Sequence, residues 1–336
     1  MKILFTSHRF HPDIGGIEVN SEILARFFVS KGNEVRLVTQ TPGDDSGGFP
    51  FPVIRRPGAR ELIGLHLWAD VVYQNNIEIG TLWPGLFVRR PTVISVRTWI
   101  RAGDGRVRWI HRLKKWALRR VDAVIAISEA IRRESFEGAV VIGNPYRSDL
   151  FRVMPEIPRE NSIAFLGRFV SDKGADLLIR AFAEVQGDSA GLTLIGEGSE
   201  EAALRRLAFE LGVEVRFTGP LRSEELVQEL NRHAILTVPS RWPEPFGNVA
   251  LEGIASGCVV VGSDGGGLPD AVGPGGLIFR SEDIGDLVCQ LRRLLSDGEL
   301  RGRIRMEAVA HLANHQADKI CSKYLRIIKT SCLHKS

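Results

Sequence analysis

Arg241-Trp242-Pro243-Glu244-Pro245-Phe246-Gly247-Asn248-Val249-Ala250-Leu251-Glu252 is the stretch on which the reading of this chain turns. It follows an apolar, strand-like run over residues 235–238 that closes in Pro239-Ser240, and it leads into helical spacing over residues 248–256. Glu244 therefore lies on a stiff loop between two prolines, where a strand gives way to a helix. The amides of Phe246, Gly247, Asn248 and Val249 open that helix, and a helix start offers unpaired N–H groups and partial positive charge to a phosphate. Glu252, further into the same helix, is a carboxylate able to accept hydrogen bonds from two vicinal hydroxyls. A Glu-x7-Glu pair in this setting suits a sugar and a ribose on either side of a diphosphate. Without that setting, the pair fits equally a helix-start carboxylate and a solvated side chain.

Outward from this stretch, strand and helix signals alternate. Strand-like runs occupy residues 162–166, 192–195, 214–218, 235–238, 258–261 and 277–279, with helical patterns at 175–185, 200–211, 224–231 and 248–256. An earlier series has strand-like runs at 2–6, 34–39, 70–73, 92–96, 123–127 and 140–142. Its first strand precedes Gly15-Gly16 and an amphipathic stretch over 17–29. Such alternation predicts parallel sheets covered on both faces. The chain is read as α/β, with two Rossmann-like doubly wound domains over residues 1–146 and 161–315. Residues 147–160, with prolines and both charge signs, are read as a linker, and a helix near 316–330 is expected to pack back on the first domain. Doubly wound sheets bind ligands at the carboxyl ends of their strands, so two such domains facing one another would enclose an inter-domain cleft.

The stretch 241–252, with Ala255-Ser256-Gly257-Cys258-Val259-Val260-Val261-Gly262 after it, resembles the signature of the family-4 retaining glycosyltransferases (glycosyltransferase group 1), which have the GT-B fold. Phe165-Leu166-Gly167-Arg168 followed by Asp172-Lys173-Gly174 is similar to the family's donor-phosphate site. Leu194-Ile195-Gly196-Glu197-Gly198, Phe217-Thr218-Gly219 and Gly265-Gly266-Gly267-Leu268-Pro269 are similar to further landmarks, as is His11-Pro12 with Gly15-Gly16-Ile17-Glu18. The resemblance implies transfer of a sugar, with retention, from a nucleotide-diphosphate sugar to a hydroxyl acceptor. That acceptor would be a saccharide or a lipid-linked precursor of a cell-surface polysaccharide. It also implies that Arg168 and Lys173 neutralise the departing diphosphate, that Glu244 faces the transferred sugar and that Glu252 holds the ribose. Gly15, Gly16, Phe246, Gly247, Asn248 and Val249 would line the donor, with the glycines admitting backbone close to it.

Two positions depart from the pattern. Asp270 stands where the family usually has Glu. Arg97, at the end of the run 92–96, stands where many relatives place a His that touches the transferred sugar. An arginine there would contact an anionic sugar or acceptor, or else pair with a structural carboxylate. The position leaves open a rival reading, a nucleotide-sugar-binding protein without turnover. A phosphorylase or epimerase of similar architecture is disfavoured by the absence of a recognisable pyridoxal-phosphate lysine motif and by the glutamate motif. An NAD-binding role is disfavoured because no G-x-G-x-x-G follows the first strand.

Composition limits the remaining classes. With 336 residues, 44% apolar and 25% charged, the chain is globular and long enough for two domains. A net charge of +4 suits an anionic small ligand and does not call for nucleic acid. Cys258, Cys289, Cys321 and Cys332 form no C-x-x-C pair, and no D-x-D pair offers the usual grip on a divalent ion beside a diphosphate. Neither metal nor cofactor is therefore expected. The opening run is too short for a signal peptide and no apolar run approaches a membrane span, which places the protein in the cytoplasm. Residues 101–120 add a qualification. Arg101, Arg106, Arg108, Arg112, Lys114, Lys115, Arg119 and Arg120 face only Asp104, with Trp109, Leu113 and Trp116 at helical spacing. Such a basic amphipathic helix either rests on an anionic membrane surface or buries its Trp/Leu stripe in the domain.

Overall fold

The structure, a computed structural model, describes residues 1–13, 15–43, 48–102, 106–185 and 191–333. It divides into two compact units, Met1–Pro145 with Ala317–Ser336, and Tyr146–Gln316.

The first unit runs β1 (Lys2–Ser7), α1 (Gly16–Ser30), β2 (Glu34–Thr39), β3 (Val53–Arg55), α2 (Ala59–Trp68) and β4 (Val71–Asn75). It continues with α3 (Ile79–Leu82), β5 (Thr92–Val96), α4 (Trp109–Leu118), β6 (Ala123–Ala126), α5 (Glu129–Ser135) and β7 (Val140–Val141). The strands pair in the order β3-β2-β1-β4-β5-β6-β7, and the pairings are parallel. β1 and β4 are buried almost throughout because both faces of the sheet are covered. α1 buries Leu24, Ala25, Phe27 and Phe28 against the sheet and ends at Gly32, whose φ of 75° suits the left-handed turn.

The second unit runs β8 (Glu160–Leu166), α6 (Ala175–Val185), β9 (Leu192–Ile195), α7 (Glu201–Glu210), β10 (Val215–Gly219), α8 (Ser223–Arg232) and β11 (His233–Val238). Then come α9 (Asn248–Ala255), β12 (Val259–Ser263), α10 (Leu268–Val272), β13 (Gly276–Phe279), α11 (Ile284–Ser296) and α12 (Gly298–Asn314). Its sheet is β10-β9-β8-β11-β12-β13, with parallel pairings. Phe165, Phe169, Phe182, Val259, Phe279, Leu287 and Leu291 belong to its core.

The last helix, α13 (Ala317–Leu333), belongs to the first unit. Ile320, Cys321, Tyr324, Leu325 and Ile328 recur at helical spacing and are buried in the same core as Phe5, Phe28 and Tyr73. Residues 147–160, expected as a linker, fall within the second compact unit. Phe151 and Met154 are buried, the Met154 amide donates to Asn231 Oδ1, and Arg159 donates to the carbonyls of His233 and Ser256. Prolines and mixed charge there mark an extended segment fastened to the unit rather than a free tether. Among the described residues, no helix is long and apolar enough to cross a membrane.

Candidate functional site

In the second sheet the strand order reverses between β8 and β11, and such a switch point is where an open α/β sheet binds ligand. The loops after these two strands carry the residues singled out from sequence. After β8 come Arg168 and a short 3-10 turn, Ser171–Lys173, closed by Gly174 with φ 69°. After β11 comes the loop with Glu244, and then α9.

The structure brings Lys173 and Glu244 together. Lys173 Nζ lies 2.5 Å from Glu244 Oε1, and Ser240 Oγ donates to the same oxygen at 3.0 Å. Both charged side chains are partly buried, 21% and 17% exposed, which strengthens the pair over a surface one. Ser240 is in turn fixed by its carbonyl, which accepts from Ser263 Oγ at 2.8 Å. Arg168 is exposed, and no hydrogen bond or ion pair of its guanidinium occurs among the described residues.

Glycine shapes the rest of the loop. The carbonyl of Glu244 accepts from Gly267 N at 2.7 Å, and a Cβ on Gly266 would lie 2.2 Å from that carbonyl oxygen. The triple glycine thus lets the Glu244 loop lie against the turn before α10. Gly247, with φ 103°, is the N-cap of α9 and supplies no capping side chain. Phe246 is buried with its ring 5.8 Å from that of His315, so what it offers a ligand is its backbone. Asn248 and Val249 form the first turn of α9.

Glu252 is in the middle of α9 and mostly buried. Loss of hydration pushes its carboxyl up to about 7, against the pull of the Arg147 guanidinium. Ser240 and Arg147 were not legible as site residues in the sequence. Ser240 closes the strand-like run over 235–238, and Arg147 opens the segment expected as a linker.

In the first sheet the order reverses between β1 and β4. Gly15 is the extended N-cap of α1, and a Cβ there would lie 2.5 Å from Glu18 Oε2, whereas a Cβ on Gly16 would meet nothing within 4 Å. Behind this turn is a buried polar chain: Ser7 Oγ to Ser21 Oγ at 2.9 Å, and Asn75 Nδ2 donating to Ser21 Oγ at 2.6 Å.

Arg97 ends this chain. It is only 4% exposed, and its guanidinium donates to Asn75 Oδ1, to Asn144 Oδ1 at 2.8 Å and to the Tyr324 hydroxyl at 3.3 Å. Its guanidinium turns into the unit, and these acceptors are neutral side chains rather than a carboxylate.

The basic segment 101–120 is described except for residues 103–105, so Asp104 lies outside the described residues. The expectation of a buried Trp/Leu stripe does not hold. Trp109 is 75% and Trp116 48% exposed, and Leu118 is the residue that anchors α4. Lys115 is tied to Glu134 at 2.9 Å, and Arg120 stacks on Trp116 with its guanidinium 3.9 Å from the ring centre.

Residues 147–310 match the family model for glycosyl transferases group 1, and residues 15–141 match that for the glycosyl transferase 4-like domain. A GDP-mannose-dependent monoacylated alpha-(1-6)-phosphatidylinositol monomannoside mannosyltransferase of Corynebacterium glutamicum is 31% identical over 361 residues, covering 93% of each chain. A D-inositol 3-phosphate glycosyltransferase of Nocardia farcinica is 37% identical over 184 residues, 50% of this chain and 41% of that one. The chain thus matches less than half the length of that relative. Anabaena HepE in complex with UDP has the same fold, with TM-score 0.84 at 20% identity over 98% of this chain and 100% of that one. Sucrose-phosphate synthase of Thermosynechococcus elongatus gives TM-score 0.79 at 20% identity, over 99% and 100%. Two Rossmann-like sheets, the glutamate loop at the second switch point and a relative matched almost end to end lead to one conclusion: the chain belongs to the group 1 glycosyltransferases and has their GT-B fold.

Proposed function

We propose that this protein transfers a sugar from a nucleotide-diphosphate sugar to a hydroxyl of a lipid-linked or saccharide acceptor, with retention at the anomeric carbon and without a metal ion. The observation that carries the reading is the 2.5 Å pairing of Lys173 with Glu244 at the switch point of the second sheet, beside the start of α9. A cation and helix amides suit the diphosphate of such a donor and a carboxylate suits its sugar, all within one loop pair.

In the reaction, the bond between the anomeric carbon and the β-phosphate oxygen breaks as the acceptor oxygen bonds to the same face of that carbon. Negative charge collects on the departing diphosphate, which also takes the acceptor's proton. Lys173, held against Glu244, and the α9 amides are positive groups beside that charge, and the exposed Arg168 closes on it when the donor binds, the kind of electrostatic stabilisation that supplies much of a rate enhancement. These cations take over the charge neutralisation a divalent ion would otherwise provide. Glu244 orients the sugar and Glu252 the ribose. The rival reading, binding without turnover, leaned on Arg97 as a foreign cation in the site, and an inward guanidinium is not one.

A lipid-linked acceptor is favoured by the exposed Trp109 and Trp116 on a basic helix and by the phosphatidylinositol mannoside named for the Corynebacterium relative. The test is incubation with a panel of nucleotide sugars that includes GDP-mannose and UDP-glucose, with anomeric configuration of the product read by NMR. An inverted product, or neither hydrolysis nor transfer of any donor, overturns the proposal.

A further inference from the structure

We infer that Arg241 and Asp176 form a clamp that fixes the spacing between Lys173 and Glu244, which makes Arg241 a positioning residue of the donor site; this rests on the reading of Lys173 and Glu244 given above. The two site residues come from loops on different strands, so something other than chain connectivity must set their register. Arg241 Nη1 and Nη2 donate to Asp176 Oδ1 and Oδ2 at 2.7 Å each, and Nη1 also donates to the Ser171 carbonyl at 2.8 Å. The amides of Arg241 and Trp242 both donate to the Asp172 carbonyl, at 2.9 and 3.1 Å. On the other side of Lys173, a Cβ on Gly174 would lie 2.1 Å from the Pro239 carbonyl oxygen. Lys173 is thus bracketed by Asp172 and Gly174, and both neighbours touch the loop that carries Glu244.

The chemistry explains the residue types. A guanidinium presents a planar fork that matches both carboxylate oxygens and keeps a further N–H for the Ser171 carbonyl; an ammonium cannot do both in fixed geometry. Asp176 is in the first turn of α6, where a carboxylate is favoured. The pair is 27% and 28% exposed, so its contribution to global stability is modest. Its consequence is local: it anchors the base of the long, flexible Lys173 side chain, and small misplacements in a site reduce turnover steeply. Asp176 also follows the Asp172-Lys173-Gly174 motif by only a few residues, so the clamp stays within the segments that build the site.

The experiment uses the full chain with R241Q, R241K and the isosteric D176N, and K173A as a control on the site itself. Lys173 accessibility is read by acetic anhydride labelling with peptide mass spectrometry, a measurement that needs no turnover. In R241Q and D176N the clamp predicts Lys173 labelling faster by about threefold or more, with the melting temperature within about 2 °C of wild type. R241K keeps the charge but not the fork, and should label like R241Q. Turnover of GDP-mannose or UDP-glucose, whichever is used, should fall by about 10–10²-fold while affinity for bare GDP or UDP stays within about threefold. Unchanged Lys173 labelling in both R241Q and D176N overturns the clamp. If K173A transfers sugar as well as wild type, the underlying site reading fails. If K173A is inactive while R241Q and D176N match wild type, only the clamp fails.

Discussion

Arg97 Nη2 donates to the Tyr324 hydroxyl at 3.3 Å, joining the carboxyl end of β5 to the C-terminal helix α13 through a buried polar contact. The guanidinium also lies over the Tyr324 ring, 5.5 Å from its centre. Taking a guanidinium out of water is costly, and the neutral oxygens of Asn75, Asn144 and Tyr324 offset part of that cost only while all are in place.

Replacement of Arg97 by Met should therefore destabilise the first unit by about 2–4 kcal/mol, because it strands buried acceptors as well as removing bonds. Tyr324→Phe removes two bonds, to Arg97 and to Ser95 Oγ, and should cost about 1–2 kcal/mol. Urea unfolding followed by tryptophan fluorescence reports this unit, since Trp68, Trp83, Trp99, Trp109 and Trp116 are in it and Trp242 is not. An Arg97→Met variant as stable as wild type would show that the buried cation contributes nothing.

Charge at the leaving group gives a second expectation. Lys173→Ala and Arg168→Ala should each lower turnover by about 10²–10³, with the fold intact. Lys173→Ala also leaves Glu244 without its cation, so of the two it should affect sugar transfer more. Turnover should persist in EDTA, because the neutralising charges belong to the protein. Loss of activity in chelator that Mg²⁺ or Mn²⁺ restores would overturn the assignment of these residues.

If Glu252 holds the ribose as proposed, nucleotide binding should depend on pH. Its carboxyl is raised from 4.5 to about 7, so between those values the folded protein holds a proton that the unfolded chain does not. Stability from this group is therefore greatest below about pH 4.5 and declines as pH rises through 7. Ligand binding runs the opposite way, because the carboxylate is the better acceptor for ribose hydroxyls. Affinity for bare GDP or UDP should rise about 5–10-fold from pH 6 to pH 8, and Glu252→Gln should flatten that rise. Glu244→Gln should leave the profile as it is and damage transfer. A rise that survives in Glu252→Gln would assign it to another group.

What the sequence revealed follows from what is local. Apolar runs, Gly-Gly and the proline-bounded glutamate are chain-local signals, so the two sheets and the loops after β8 and β11 could be read directly. The start of β11 could not, because His233 is polar; it is buried because Ser162 and Glu229 bond its two ring nitrogens, at 2.8 and 2.9 Å. The short β3 carried too little periodicity to stand out. Side-chain direction was the larger loss: Arg97 is turned inward by Asn144 and Tyr324, partners far along the chain, and no spacing rule reports that. Arg147 and the segment after it looked like a tether because nothing local shows Asn231 and Ser256 waiting to bind it.

The α4 face yields the last prediction. Trp109, Arg112, Trp116 and Arg119 are exposed at spacings that put them on one side of the helix, and Arg108 precedes them at its cap. Exposed tryptophans flanked by arginines suit the boundary between water and lipid, where each basic side chain near an anionic surface contributes about 1 kcal/mol. Lys115 is excluded from this face by its bond to Glu134. Co-sedimentation should show wild type bound to vesicles containing an anionic lipid and not to neutral ones, with binding weakened by salt. Two variants separate charge from insertion. Arg108/Arg112/Arg119→Glu should abolish the preference for anionic vesicles. Trp109/Trp116→Ala, which removes no buried contact at position 109, should weaken binding and lower its resistance to salt. Wild type that ignores anionic vesicles even at low ionic strength would remove the membrane from the reading and point to a soluble acceptor.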